Sequence, residues 1–355
     1  MKRYLGLGVL AVFILVGLFP LYSPDPATTN IAIDTLLFAV TAVGWNIFGG
    51  YTGYFSLGYG TYYGFGAYTL ALIYQKFPLP GDYVPFLFVP VAGLVAALVA
   101  IPIGWLSLRT RQAVFMVVTL ATLFIFQLVA SNVPAITNGA SGLALPTPSW
   151  HGDFFNIPFF YASFILLILT IAVSWWIRRS KFGLGLLAIR DDEDRALSLG
   201  VKTSTYKLVA FVISGFFGGT AGAMFAYLAG LVGPASAFNP GINSIPAVMA
   251  FLGGVGTLSG PILGAFLLIP LQQQMDLQIS SLNISFLNLN AQGLDFIVDG
   301  LLLLLVIVFL PEGIVPSLSR WWRNRQEARA TARPLIAAND VEETVAVESR
   351  SGGKA

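Results

Sequence analysis

The chain has 355 residues, of which 56% are hydrophobic and only 10% are charged, and its mean hydropathy is +0.78. A soluble domain of this length has no core large enough to hide so much apolar surface, so the composition excludes a soluble globular protein. The lack of cysteine excludes disulfides and thiolate metal sites, and a net charge of +2 gives no reason to expect a nucleic-acid partner.

The first apolar run, residues 5–22, follows Lys2 and Arg3, as the apolar region of a signal peptide would. No small-residue cleavage site is obvious after it, and Pro24 and Pro26 come soon afterwards. We therefore interpret this run as a retained first membrane span, with a cleaved signal peptide as the alternative.

Further apolar runs contain no charged residue and are each about long enough for a membrane span, which takes about 20 residues at a rise of about 1.5 Å. They are residues 57–75, 84–108, 112–131, 158–177 and 256–273. None of them shows a heptad pattern or the alternation of a strand. The sequence therefore predicts an all-α polytopic membrane protein.

The positions of lysine and arginine predict the topology, because short cytoplasmic loops are enriched in them. Apart from Lys76, they cluster at residues 2–3, 109–111, 178–207 and from 320 onward. If these clusters are cytoplasmic, an even number of spans separates each from the next. Ten spans satisfy this condition, and both termini are then cytoplasmic. The predicted spans are 5–22, 31–48, 57–75, 84–108, 112–131, 158–177, 206–231, 242–253, 256–273 and 293–311.

One of the ten spans, residues 242–253, is too short for a straight crossing and runs into the segment GGVGTLSG at 253–260. A short helix broken at glycines fits both facts. Non-helical backbone at membrane depth is tolerated only inside protein or beside a cavity. The segment is therefore a candidate for the translocation pathway, with Gly253, Gly254 and Gly256 as its candidate residues.

A second glycine-rich segment, GGYTGYFSLGYGTYYGFGAY, lies at residues 49–68. Its Gly60 and Gly64 form a small-xxx-small pair that favours close helix packing. Packing alone is one interpretation, and packing around a narrow pathway is the other. The pathway candidates here are Gly53, Ser56, Gly58 and Gly60. The glycine pairs at 49–50 and 253–254 fall on one side of the membrane in the predicted topology, as in a parallel internal repeat.

Four consecutive acids, Asp191 to Asp194, stand out in the segment IRDDEDRALSLG at residues 189–200. Acids are favoured in the first turn of a helix, and Gly200 suits the position just past a helix end. A short helix over about 191–199 is therefore predicted. Alone it would be marginal, but it would gain packing if it docked on a partner.

The alternative for this segment is an ordinary solvated loop. Ala196, Leu197 and Leu199 argue against that, since a solvated loop has little reason to carry them. Arg190 and Arg195 beside the acids would form a mixed-charge rim, which suits partner selection.

The sequence contains little that supports an enzymatic function. The chain contains no G-x-x-x-x-G-K-[ST] motif for ATP phosphates, and GYGTYYG at 58–64 lies inside a span. His151 has no second imidazole with which to share a metal. We predict neither catalytic residues nor a metal site.

Three acids, Asp34, Asp295 and Asp299, lie toward the outer ends of predicted spans. Asp299 is the deepest, and an acid in mid-membrane costs about 2.5–3.5 kcal/mol on insertion scales. It could serve the pathway or be a hydrogen-bonded packing site. A proton-coupled secondary transporter is therefore one alternative function, and a membrane scaffold or enzyme without transport activity is another.

Five blocks together resemble one family, the LivM branch of the membrane subunits of branched-chain amino acid ABC importers. They are residues 49–68, TNGASGL (137–143), FGLGLLAIRDDEDRALSLGV (182–201), YKLVAFVISGFFGGTAGAMFAY (206–227) and LGGVGTLSGPILGA (252–265). The blocks keep the family order, and the resemblance covers most of residues 31–315. Urea-importer permeases have similar blocks, so a urea or amide importer is a further alternative.

The resemblance implies a permease domain over 1–319 and an ATPase that docks on a cytoplasmic loop, for which the charge pattern gives residues 178–206. The end of the chain lacks periodicity and mixes charges with small residues, so we expect a disordered cytoplasmic tail at 320–355. Within the loop, Asp194-Arg195-Ala196 with Gly200 resembles the EAA…G motif of ABC permeases, with Asp in place of Glu and Arg in place of the first Ala. The expected coupling residues are Asp191, Asp194, Arg195, Ala196, Leu197, Leu199 and Gly200.

The resemblance also implies the partners and the location. They are two ATP-binding subunits, a second related permease subunit and an extracytoplasmic substrate-binding protein that reaches outer loops such as 132–157. We expect no cofactor in this chain, because ATP would be bound by the partner subunits. The expected location is the inner membrane of a prokaryotic cell, with anionic lipid near the basic patch at 320–333.

Overall fold

A computed structural model describes residues 15–22, 25–77, 79–150, 152–281 and 313–320. Long helices dominate this part of the chain. They are α2 (Pro26–Thr52), α3 (Tyr59–Lys76), α4 (Val84–Ser107), α5 (Gln112–Asn132), α7 (Asn156–Arg179), α10 (Thr203–Ala229) and α13 (Gly260–Ser281).

Short elements connect the long helices. The short helices are α1 (Phe19–Tyr22), α6 (Pro134–Thr137), α8 (Lys181–Asp191), α9 (Glu193–Ser198), α11 (Pro234–Ala237) and α12 (Gly241–Gly253), with 3-10 turns at Gly139–Ser141 and Gly152–Phe154. Two short strands, β1 (Leu143–Ala144) and β2 (Leu231–Val232), pair antiparallel with Leu143 opposite Val232. This pair ties the segment between α5 and α7 to the end of α10.

Five of the described helices, α2, α4, α5, α7 and α10, are long and apolar enough to cross a membrane. Helices α3 and α13 fall on two more of the predicted spans, but they are not among these five. The predicted span 293–311 and most of 5–22 lie outside the described residues, so the total of ten spans stays a prediction. The all-helical architecture is confirmed for the described residues, apart from the two short strands.

The short helix broken at glycines is also confirmed. The span predicted over 242–253 is α12, which has 13 residues and ends where Gly254 adopts a φ of +123°. The chain then runs without helix until α13 begins at Gly260. A side chain at Gly254 would be strained, because only glycine tolerates such a φ cheaply.

Helices α2 and α10 form the centre of the molecule. In the most apolar 18-residue stretch of each, 78% of the residues of α2 and 67% of those of α10 are buried, against 22% for α5. The outer helices expose large apolar side chains such as Leu94, Val117 and Leu128. Because apolar residues cover an outer face instead of polar ones, that face suits contact with lipid.

Glycines allow the central helices to approach closely. A Cβ on Gly66 of α3 would lie 1.9 Å from the carbonyl oxygen of Gly219 in α10, and one on Gly222 would lie 2.0 Å from that of Tyr63. The two backbones are therefore in direct contact. The Gly60 and Gly64 pair instead faces Asn243 and Phe238, so the α3–α10 contact depends on other glycines than that pair.

Candidate functional site

The acidic stretch occupies a junction between two helices. Asp191 is the last residue of α8, and Asp192 has an extended backbone, with φ −165° and ψ 110°. The Asp192 carboxylate accepts a hydrogen bond from the backbone N–H of Arg195 at 3.0 Å and so caps α9. The helix predicted over about 191–199 is α9, which begins two residues later, because Asp192 caps it, and ends one residue earlier. The loop predicted at 178–206 is largely helical, because it contains α8 and α9. Asp192 separates these two helices.

Gly200 ends α9 in the way the sequence predicted. Its φ of +86° is left-handed, its N–H donates to Leu197 O at 2.9 Å, and Val201 N–H donates to Ala196 O at 3.0 Å. These two bonds form the Schellman arrangement that satisfies the last carbonyls of a helix. Both ends of α9 are thus capped, which compensates for its short length.

The apolar residues of α9 separate into two groups. Ala196 is 1% exposed and packs within this chain, whereas Leu197 is 58% and Leu199 83% exposed. Ala196 was expected among the residues that contact a partner. Because it is buried, it packs α9 against the rest of this chain instead. The other expected coupling residues, Asp191, Asp194, Arg195 and Gly200, are exposed as well.

A partly buried ion pair fixes α9 to the long helices. Glu193 accepts hydrogen bonds from Lys207 Nζ in α10 and from the hydroxyl of Tyr54, which lies between α2 and α3. Lys207 Nζ also donates to Tyr54 Oη at 3.1 Å, and its side chain is 4% exposed against 30% for Glu193. Burial alone would raise the pKa of Glu193, but the bonds from Lys207 and Tyr54 hold that pKa below its ordinary value.

Sequence reasoning missed this cluster. In the sequence, Lys207 was noted only as a positive charge near a span, and Tyr54 only as part of a glycine-rich segment. A single lysine in the second turn of an apolar helix was the available signal, because a buried ammonium requires a partner.

Arg190, in the last turn of α8, connects the acidic stretch to both glycine-rich segments. Its Nη1 donates to the carbonyl oxygen of Gly50 at 2.8 Å. A Cβ on Gly53 would lie 3.2 Å from Arg190 Cγ, and one on Gly256 would lie 1.9 Å from Nη1. The guanidinium therefore lies against residues of both segments.

Asn46 of α2 also connects the two segments. Its Oδ1 accepts a hydrogen bond from Gly256 N–H at 2.8 Å, and its Nδ2 donates to Thr257 O at 2.9 Å. Gly50 allows the contact, since a Cβ there would lie 1.9 Å from Asn46 Oδ1 and 2.9 Å from Gly256 N. We call residues 254–259 the glycine loop. The structure thus joins the two segments that the sequence placed on one side of the membrane.

The comparisons with known proteins agree with this architecture. The family model described as the permease component of branched-chain amino acid transport systems matches residues 27–308. The chain belongs to this family. It is therefore an integral membrane protein of the bacterial inner membrane and the permease component of an ABC transporter, a type of subunit that lacks its own ATPase and works with ATPase and binding-protein components.

Two similar relatives are named high-affinity branched-chain amino acid transport system permease protein LivM. The protein from Escherichia coli K12 is 28% identical and the one from Salmonella typhimurium LT2 is 27% identical, each over 87% of this chain and 74% of the relative. An autoinducer 2 import system permease, LsrC, from Yersinia pseudotuberculosis is 34% identical over 48% of this chain and 47% of its own length. No solved structure matches the chain.

The remaining pathway candidates of the permease lie at packed junctions. Ser56 O accepts from Trp45 Nε1 at 3.0 Å, and Gly60 N–H donates to Asn243 Oδ1 at 2.6 Å. A Cβ on Gly58 would lie 2.4 Å from Thr119 O, and one on Gly253 would lie 1.7 Å from Gly260 O. In this structure the glycines allow close backbone packing, and a contact between any of them and a substrate stays a prediction.

The acids of the permease spans are only partly described. Asp34 in α2 accepts a hydrogen bond from Gln273 Nε2 in α13 at 3.0 Å. Asp295, Asp299 and His151 lie outside the described residues, as does the tail beyond Arg320. Within the described ranges, no group of three or more His, Asp or Glu side chains could hold a metal ion.

Proposed function

We propose that this permease is the membrane-spanning subunit of an ABC importer for a branched-chain amino acid, and that it works by alternating access driven by partner ATPases. Family membership supports the transporter class. The observation that carries the coupling role is the short helix α9, which exposes Leu197 and Leu199 while Glu193 anchors it to Lys207. A helix that is attached on one side and presents exposed leucines among charged residues on the other fits a groove on a partner.

In this proposal the ATPase contacts the exposed face of α9. Leu197 and Leu199 supply apolar area, while Asp191, Asp194 and Arg195 form a charged rim that selects the partner. We further propose two ATP-binding subunits, a second related permease subunit and an extracytoplasmic binding protein that reaches the outer loop at 132–157. Both termini are cytoplasmic in the same topology.

The docking role is tested by replacing Leu197 and Leu199 with Asp in the full complex. We expect the double variant to insert in the membrane and to lose the copurifying ATPase, because two carboxylates would be placed in an apolar groove. Ala196 is left unchanged, since an acid at that buried position would disrupt α9 in any case.

The matched control for this experiment is Leu231→Asp. Leu231 is 54% exposed and lies on β2. β2 follows the C-terminal end of α10, whereas α9 precedes its N-terminal end. We expect this variant to retain the ATPase. If the Leu197→Asp, Leu199→Asp complex still copurified with its ATPase at the wild-type ratio, the docking assignment would be wrong.

A branched-chain amino acid is proposed as the substrate because the LivM relatives match 87% of the chain, whereas the autoinducer 2 permease matches 48%. A urea or amide substrate is the alternative. Uptake of labelled leucine and of labelled urea should be compared in the host with and without this gene. Loss of leucine uptake alone supports the proposal, and loss of urea uptake alone contradicts it.

A proton-coupled secondary transporter is the competing class, and Asp34 is the observation in its favour, since it is an acid within a membrane-spanning helix. Depleting ATP while keeping the proton gradient separates the two mechanisms. We expect uptake to stop under ATP depletion and to persist when a protonophore is added at constant ATP. The reverse pattern would favour the secondary transporter.

A further inference from the structure

Two independent contacts attach the acidic stretch to the rest of the permease. Glu193 attaches α9 to Lys207 and Tyr54, and Arg190 attaches the end of α8 to Gly50. The first contact holds the helix in place. The second reaches past α2 toward the glycine loop, because the Arg190 guanidinium also lies against Gly256.

The glycine loop is suited to movement. It connects α12 and α13 in a non-helical backbone conformation, and Gly254 and Gly256 have φ values of +123° and +76°. Asn46 holds it by hydrogen bonds at Gly256 and Thr257. A short glycine segment between two packed helices is the kind of element that absorbs the backbone changes of a hinge.

Arg190 is placed to influence this hinge. The residue is exposed, and the carbonyl oxygen of Gly50 that it caps is one of the last four of α2, which have no partner within the helix. Removing the guanidinium leaves this buried carbonyl oxygen without its donor, which costs stability. The unfolding temperature of each Arg190 variant is therefore measured beside transport, so that a loss of coupling is distinguished from unfolding.

We infer that Arg190 is a positioning residue that transmits movement of the ATPase-facing helix α9 to the glycine loop, and hence to α12 and α13. This rests on the proposed function. When α9 moves with its ATPase, the adjoining end of α8 moves with it, and the Arg190 guanidinium shifts against Gly50 and Gly256. The loop then changes its angle between α12 and α13.

The lack of cysteine in the chain makes a direct test possible. Ser259→Cys places one thiol at an exposed position of the glycine loop. The full complex carrying this thiol is reacted with a polyethylene glycol maleimide, with and without ATP and vanadate, and the mass shift of this subunit gives the labelling rate. We compare native Arg190 with Arg190→Ala, Arg190→Lys and, as a control, Arg179→Ala, which removes an exposed charge at the end of α7.

We expect trapping with ATP and vanadate to change the labelling rate in the parent complex and in Arg179→Ala. Arg190→Ala should reduce that change by about 3- to 10-fold in complexes that still contain the ATPase. For Arg190→Lys, which keeps a charge and a donor, we expect a change in labelling rate between those of the parent complex and Arg190→Ala.

Three results would overturn the inference. They are an unchanged nucleotide response in Arg190→Ala, an absence of any response in the parent complex that contains its ATPase, and loss of the ATPase from Arg190→Ala, which would make the contact part of docking. If no ATPase copurifies even with the parent, the proposed function itself fails, and this outcome is distinct from the other three.

Discussion

Glu193 and Lys207 form an ion pair that joins the short helix α9 to the first turns of the long helix α10. The ammonium is almost fully buried, with 4% of its side chain exposed, and the carboxylate is 30% exposed. The Tyr54 hydroxyl donates to the same carboxylate, and Lys207 Nζ lies 4.3 Å from the centre of the Tyr54 ring. Such a cluster fixes the orientation of α9, because its members come from three separate segments.

Replacing Lys207 with Met should destabilise the permease, because Glu193 would keep its charge without a cation. Breaking a fully buried pair costs about 3–5 kcal/mol, and we expect about 2–3 kcal/mol here, since Glu193 is partly exposed. Thermal unfolding of the purified permease measures the effect. Lys202→Met, at an exposed position, is the control, and equal unfolding temperatures for the two variants would contradict the prediction.

The same pair predicts a dependence of stability on pH. The pKa of Glu193 is lower in the folded chain than its ordinary value of 4.5. Its stabilising contribution is therefore fully present above pH 4.5 and is lost as the pH falls through the lower folded pKa. We expect the unfolding temperature of Glu193→Gln to fall less than that of the native chain between about pH 5 and about pH 3. Parallel pH curves for the two proteins would exclude this role.

Gly66→Ala should disrupt the contact between α3 and α10. The added methyl group would lie 1.9 Å from Gly219 O, and backbone cannot yield as a flexible side chain can. Overpacking of this kind costs about 1–3 kcal/mol or more. The fraction of monodisperse permease after heating gives the readout. Gly81→Ala, whose methyl would have its nearest neighbour at 3.5 Å, should behave like the native chain, and equal losses in both would refute the packing argument.

Asn46→Leu should loosen the glycine loop. The substitution keeps a similar volume but leaves Gly256 N–H without its acceptor, which costs about 1–3 kcal/mol for a buried donor. We expect faster deuterium uptake in peptides that cover 254–259. Asn132→Leu removes a similar amide bond at an exposed site and should leave that uptake unchanged. An unaltered exchange rate in Asn46→Leu would show that other contacts hold the loop.

Hydropathy and glycine placement predicted much of the architecture. Helices α4, α5 and α7 follow the predicted runs within about three residues, because a long apolar run must satisfy its own backbone hydrogen bonds in lipid. The break after α12 and the end of α9 at Gly200 were also predictable. Both depend on a glycine at positive φ, and that is a local property of the chain.

The candidate site was predictable only in part. The acidic stretch was recognised as a helix start, but its division at Asp192 depends on that residue adopting an extended backbone between α8 and α9. The exposure of Leu197 and Leu199 matched the expectation for a docking surface, whereas the burial of Ala196 did not. A six-residue helix shows too little periodicity for its inner face to be read from sequence.

What the sequence by itself determined is therefore local: which segments are apolar helices, where glycines end them and which short stretch collects the acids. Only the tertiary structure decided which groups meet. Tyr54 and Glu193 are 139 positions apart, and Asn46 and Gly256 are 210 apart. Such contacts depend on how α2, α10 and α12 pack. The spacing of residues along the chain does not show which helices pack together.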